Sequence, residues 1–165
     1  MTKRTFSLMV ACAAAAAISM LASPPRCNAQ YKRAISLATA GTQGLPFSDG
    51  IVVGNMLYVS GTQGTGSDGK LASGGIGPQT RAALELIERV VKNAGFQMGD
   101  VVAVNVYLAD IHDFGAMNKI YTTFFPSPKP TRTTVQVASL VNGAKIEISA
   151  IAVRRPRVHP PANLR

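Results

Sequence analysis

The stretch PTRTTVQVASLVNGAKIEISAIAV, residues 130–153, decides the fold of this chain. β-Branched residues are frequent on both sides of Asn142-Gly143, a dipeptide that favours a tight turn, so the stretch predicts two β-strands joined there. Two charged residues stand out: Arg132 follows a proline, and Glu147 lies between two isoleucines. A carboxylate in an apolar strand is costly to bury without compensation, so both charges need an explanation.

The first 29 residues have the layout of a secretory signal peptide. Lys3 and Arg4 precede an alanine-rich apolar run, and Ala22 and Ala29 are the two candidate cleavage sites. The run is short for a membrane span, although retention as a signal anchor is the alternative. We therefore expect an exported protein, periplasmic or secreted, with no membrane attachment after cleavage.

Cysteine usage and charge narrow the classes of function. Cys12 and Cys27 both lie in the signal segment, so cleavage after Ala29 removes disulfides, cysteine nucleophiles and thiolate metal sites together. The formal net charge is +9, but the basic residues are scattered rather than interleaved with aromatic residues. This predicts solubility and a mild preference for anionic ligands, with no nucleic-acid partner. His112 and His159 lack matched spacing, so we expect no metal site.

Hydrophobic periodicity predicts a single α+β domain over residues 30–153. The predicted elements are a short strand near 33–38, a hairpin over 50–61 turning at Gly54-Asn55, a helix over 76–95, a strand over 101–108, a helix over about 112–125, and the two strands of the opening stretch. Two helices covering one face of a mixed sheet is the natural packing. Because the second face then remains uncovered, an oligomer that buries it is plausible. Residues 154–165 form a basic, proline-rich tail that we predict to be disordered.

Several strings of residues carry a resemblance to a known family. They are VGNMLYVSG at 53–61, QTR at 79–81, LAD at 108–110 with DF at 113–114 and MN at 117–118, and RTTVQVA at 132–138 with IEI at 146–148. In this order and at these spacings they resemble the RidA (YjgF) family of enamine/imine deaminases. The resemblance covers about residues 45–155.

The resemblance implies a chorismate-mutase-like α+β fold and a homotrimer with sites in the clefts between subunits. The implied activity is cofactor-free hydrolysis of 2-imino or enamino acids, such as 2-aminoacrylate, to 2-keto acids and ammonia. Arg132 matches the family's arginine that grips the substrate carboxylate, and Glu147 matches the acidic residue that positions water. Ser60, Gly61 and Asn118 match further residues of the site.

Three positions depart from the family pattern. Phe47 keeps the ring of a pocket tyrosine without its hydroxyl, Thr134 stands where a cysteine is frequent, and Ser149 replaces a second glutamate. We count Phe47 and Thr134 among the predicted substrate-contacting residues.

The residue types suit this chemistry. A guanidinium matches a planar carboxylate with two parallel hydrogen bonds, and a glutamate in reach of a water can move its protons. Three alternatives remain open: Arg132 and Glu147 as a structural ion pair across neighbouring strands, a carboxylate-binding or holdase-like trimer without turnover, and RNA cleavage. The last lacks paired histidines and an aromatic-basic platform.

Overall fold

The computed structural model describes residues 31–37, 44 and 46–154, which form six strands and two α-helices. The strands are β1 Arg33–Ile35, β2 Gly50–Val53, β3 Met56–Gln63, β4 Val101–Leu108, β5 Thr131–Gln136 and β6 Ile146–Val153, and the helices are α1 Ile76–Asn93 and α2 Phe114–Tyr121. The predicted signal peptide, and all but the first residue of the predicted tail, lie outside the described residues.

The strands form one mixed sheet in the order β1-β2-β3-β6-β4-β5. Only the β4–β5 pair is parallel; the others are antiparallel. The hairpin of β2 and β3 turns at Gly54-Asn55, as the sequence predicts. An α+β fold with a mixed sheet and two helices is therefore confirmed.

The prediction that the opening stretch forms two strands joined at Asn142-Gly143 is only partly right. Both strands exist, and Asn142 and Gly143 reverse the chain with φ values of 60° and 70°. However, β5 and β6 are not neighbours, because β4 lies between them. Every second residue of β6 is buried, which suits a central strand, whereas β5 is mostly polar and partly exposed, which suits an edge.

Helix α1 provides much of the core. Leu84, Ile87 and Val91 are fully buried at three- and four-residue spacing, as predicted. The helix ends before Gly95, whose φ of 83° continues no helix. Arg33 donates to the carbonyl of Ala94, which ties the helix end to β1.

Helix α2 is shorter than the predicted range of 112–125. A 3₁₀ turn at Ile111–Asp113 precedes it, where Asp110 accepts the backbone N–H of His112 at 2.9 Å. Past Tyr121, the hydroxyl of Thr123 donates to the carbonyl of Ile120 at 2.8 Å. Such side-chain bonds compete with helix propagation, so the α-helix ends at Tyr121.

The core lies on the helix-covered face of the sheet, to which both helices contribute. The other face carries partly exposed side chains from the central strands and from β5, among them Tyr58 and Val135 at 44% and 41% exposure. Among the described residues, no helix is both long and apolar enough to cross a membrane.

Gly64, directly after β3, packs against the backbone of α1. A Cβ atom built there would lie 2.5 Å from the Cα of Gln79. Because helix backbone cannot move aside cheaply, we expect Gly64→Ala to destabilise the fold by about 2–3 kcal/mol and to lower Tm by roughly 5–15 °C. Gly77→Ala is the matched control, since nothing lies within 4 Å of its Cβ position. Equal melting temperatures of the two variants in calorimetry would contradict this close approach.

Candidate active site

Arg132 lies on β5 beside Val104 of β4, so its side chain points to the helix-covered face. There it meets helix α2. Its Nη1 donates to Oδ1 of Asn118 at 2.8 Å. Its Cζ lies 4.5 Å from the ring centroid of Tyr121 and 5.4 Å from that of Phe114. The guanidinium is thus held by one amide and two aromatic rings.

The cation of Arg132 has no anionic partner in the described part of the chain. No carboxylate of residues 31–37, 44 and 46–154 lies within 4.0 Å of its nitrogens, and Asn118 is the one hydrogen-bond acceptor found there. A half-buried cation of this kind retains N–H groups for a ligand. Their fixed fork suits a carboxylate.

Thr134 follows Arg132 on the same face, beside Val106. Its hydroxyl oxygen is buried and has no hydrogen-bond partner among the described residues. Buried polar groups are normally hydrogen-bonded, so this hydroxyl is available to a bound ligand or water. Arg132, Asn118 and Thr134 form the arginine group of the site.

Glu147 belongs to a second group, on the other face of the sheet. It lies opposite Tyr107 of β4, between the buried Ile146 and Ile148, and its Oε2 accepts from Nε2 of Gln63 at 3.1 Å. Burial alternates along β6, so Glu147 shares its face with Ser149 and points away from the two isoleucines.

Gly61 allows the carboxylate of Glu147 to lie against the main chain. A Cβ atom at Gly61 would clash with Oε1 of Glu147 and lie 3.0 Å from its Cδ. A bulge creates this geometry: Val59 pairs with Ala150 and Thr62 with Ile148, so that the two residues between them on β3 face one residue of β6. Bulges commonly re-aim side chains beside functional sites. The strand predicted to end at Gly61 continues to Gln63.

Ser60 anchors the segment that carries Phe47. Its hydroxyl donates to the carbonyl of Ser48 at 2.6 Å, and its backbone N–H donates to the carbonyl of Asp49 at 3.0 Å. Phe47 itself is 57% exposed. Ser60, Gly61 and Glu147 form the glutamate group of the site, and Phe47 lies on the segment that Ser60 anchors.

A single chain does not bring the two groups together. Arg132 and Glu147 point to opposite faces of the sheet, and β4 separates their strands. The alternative of a structural ion pair across neighbouring strands is therefore wrong.

Three site residues were missed by the sequence analysis. Gln63 lies two residues beyond the predicted end of the hairpin at Gly61, although this two-residue spacing puts strand residues on one face. Phe114 and Tyr121 lie in the predicted second helix, where with Asn118 they follow an i, i+4, i+7 pattern. That pattern, together with an arginine on a later strand, was the available signal.

Electrostatics around the arginine group favour a neutral Tyr121. Burial raises the pKa of the Tyr121 hydroxyl, and the nearby positive charge of Arg132 lowers it in part. The hydroxyl has no hydrogen-bond partner in the described part of the chain. Elsewhere, the backbone N–H and ring of His112 lower the pKa of the exposed Asp110. Within the described ranges, no group of three or more His, Cys, Asp or Glu side chains is placed to hold a metal ion.

The fold and site define a small α+β protein in which an arginine on an edge strand is placed to bind a carboxylate. Residues 37–154 match the family model described as Endoribonuclease L-PSP, and the chain belongs to this family, which confirms the RidA (YjgF) resemblance. The human 2-iminobutanoate/2-iminopropanoate deaminase is 40% identical over 126 residues, covering 76% of this chain and 92% of that protein.

Two further relatives are similar in structure or sequence. The crystal structure of the YjgF gene product from E. coli superposes with a TM-score of 0.70 at 33% identity, covering 74% of this chain and 99% of the other. Protein mmf1, mitochondrial, from Schizosaccharomyces pombe is 39% identical over 120 residues, covering 71% of both chains.

Proposed function

We propose that this protein hydrolyses reactive 2-imino and enamino acids to 2-keto acids and ammonia, without a cofactor. The observation that carries the proposal is Arg132, a half-buried cation held by neutral groups with no carboxylate partner among the described residues. The name of the human relative, a 2-iminobutanoate/2-iminopropanoate deaminase, supports the same substrate class.

Substrate binding follows from the arginine group. The carboxylate of a planar 2-imino acid would accept two parallel hydrogen bonds from the free edge of the Arg132 guanidinium. Thr134 offers a hydroxyl with no partner in the described chain on the same face. These contacts would recognise the carboxylate and leave the C=N group free to react.

Hydrolysis needs water at C2 and a proton at nitrogen. The water oxygen bonds to C2 while the π electrons of C=N move to nitrogen. The C–N bond then breaks, and ammonia leaves behind a keto group. Glu147 would take one proton from the attacking water and give it to nitrogen. As the C–N bond breaks, it would move the hydroxyl proton to nitrogen as well, so that ammonia leaves and the keto group forms; such a role is typically worth about 10²–10⁴-fold in rate. Gln63 would orient the carboxylate by its 3.1 Å hydrogen bond.

The assembly must be oligomeric for this chemistry, and we propose a homotrimer. Arg132 and Glu147 lie on opposite faces of one sheet, so a complete site needs the arginine group of one copy and the glutamate group of another. The sheet face not covered by helices carries the partly exposed apolar side chains of Tyr58 and Val135, which a further copy could cover.

Export is a further proposal, supported by the charged and apolar layout of residues 1–29. Export is no general property of the relatives, since the fission-yeast protein is named as mitochondrial. Mass determination of the amino terminus in fractionated cells tests it, and an intact amino terminus confined to the cytosol would contradict it.

The test of the function is an assay with imino acids generated in situ by an amino-acid oxidase. The protein should accelerate ammonia release above the spontaneous rate, by about 10²-fold or more at saturating enzyme. The same assay with an imine that lacks a carboxylate is the control, and it should show no acceleration. If no carboxylate-bearing imine reacts faster, but 2-ketobutyrate binds in calorimetry, the protein is a carboxylate-binding module instead.

A further inference from the structure

The side chains that hold Arg132 form a stripe on one helix. Phe114, Asn118 and Tyr121 occupy positions i, i+4 and i+7 of α2, which lie on one side of a helix. All three contact the guanidinium of Arg132. Residues 122–130, which include three prolines, connect this helix to β5. The stripe is therefore built by one short helix that faces the edge strand β5.

We propose that Phe114 and Tyr121 are positioning residues for Arg132: their rings hold the guanidinium in place for the ligand carboxylate. The inference rests on the proposed function and deepens it. It assigns a role in carboxylate recognition to two aromatic residues that otherwise count only as helix packing.

Aromatic rings suit this role better than an acidic partner of Arg132 would. A carboxylate beside Arg132 would compete with the ligand for the same N–H groups. An aromatic face attracts the cation through its quadrupole without accepting those hydrogen bonds in the guanidinium plane. Asn118 takes one N–H at 2.8 Å, and this bond restricts rotation about the end of the side chain.

The two rings differ in burial, which separates their contributions to folding. Tyr121 is 5% exposed and packs against Phe125 with ring centroids 4.8 Å apart. Phe114 is 39% exposed. A substitution at Phe114 can therefore test ligand binding with little effect on the core, whereas one at Tyr121 also removes core packing.

The experiment measures KM, kcat and melting temperature for Phe114→Leu and Phe114→Tyr in the full-length protein, with calorimetric binding of 2-ketobutyrate beside them. We expect Phe114→Leu to raise KM and weaken 2-ketobutyrate binding by about 3- to 10-fold, with kcat changed less than about twofold, because the ring acts on carboxylate binding. Phe114→Tyr keeps the ring and should restore wild-type values. Tyr121→Phe should likewise remain close to the wild type.

Phe124→Leu is the matched control, because Phe124 packs against the core and none of the ring contacts of Arg132 involves it. Its KM should be unchanged. Wild-type KM and 2-ketobutyrate affinity in Phe114→Leu would overturn the inference, as would an equal loss in Phe124→Leu. If the wild-type protein binds 2-ketobutyrate but hydrolyses no imine, the proposed function fails, and the binding data alone still decide the role of the rings.

Discussion

Replacing Arg132 with alanine is expected to lower kcat/KM for carboxylate-bearing imines by about 10²-fold or more. The variant loses two charge-assisted hydrogen bonds to the ligand, each worth roughly 1.5–3 kcal/mol. Binding of 2-ketobutyrate should become undetectable in calorimetry. Stability should change little or improve, because the wild-type protein half-buries this cation without an anionic partner among the described residues.

Two variants sharpen this result. Arg132→Lys keeps the charge but loses the planar fork, so we expect an intermediate loss of about tenfold. Arg89→Ala removes an equal charge from an exposed position of α1 and should leave the kinetics unchanged. If Arg132→Ala stays within threefold of the wild type while the protein remains folded, the carboxylate is bound elsewhere.

The second large effect is expected at Glu147. Glu147→Gln keeps the shape of the side chain but cannot take a proton, so kcat should fall by about 10²–10⁴-fold. Binding of 2-ketobutyrate should persist, because Arg132 lies in the other group of the site. A kcat near the wild-type value would exclude Glu147 as the acid–base residue.

Gly61→Ala tests the same role through position rather than charge. The added Cβ would displace the end of the Glu147 side chain, which is flexible enough to move without unfolding the strand. We expect kcat to fall while the melting temperature stays near that of the wild type. A loss of stability without a kinetic effect would assign Gly61 to the fold instead.

Mixing the two inactive variants tests whether the site is shared between subunits. Arg132→Ala supplies an intact Glu147, and Glu147→Gln supplies an intact Arg132. After co-refolding in equal amounts, the subunit that provides the arginine is intact at that position in half of the sites, and so is the subunit that provides the glutamate. About a quarter of the sites should therefore contain both residues and be active. Separately refolded variants mixed without subunit exchange are the control. Failure to recover activity in verified mixed oligomers would contradict a shared site.

Much of the secondary structure can be predicted from sequence because it depends on local patterns. The three- and four-residue spacing of Leu84, Ile87 and Val91 predicts α1, and Gly54-Asn55 predicts the first hairpin turn. The predicted second helix is too long at both ends. The hydroxyl of Thr123 bonds to a backbone carbonyl at its end, and a 3₁₀ turn at Ile111–Asp113 precedes it. Hydrophobic periodicity does not show either feature.

The identities of Arg132 and Glu147 as unusual charges were evident from the sequence by itself, since each lies in a segment with strand composition. Period-two alternation also determined that Glu147 faces away from its isoleucine neighbours. Only the tertiary structure decided that β6 lies between β3 and β4, with β5 outside them. Strand order depends on which distant segments compete best for the central positions of the sheet, which no local pattern shows. That order puts β4 between the two strands of the opening stretch. Their registers place Arg132 beside Val104 and Glu147 beside Tyr107, on opposite faces of the sheet, and α2 supplies the two rings beside the arginine.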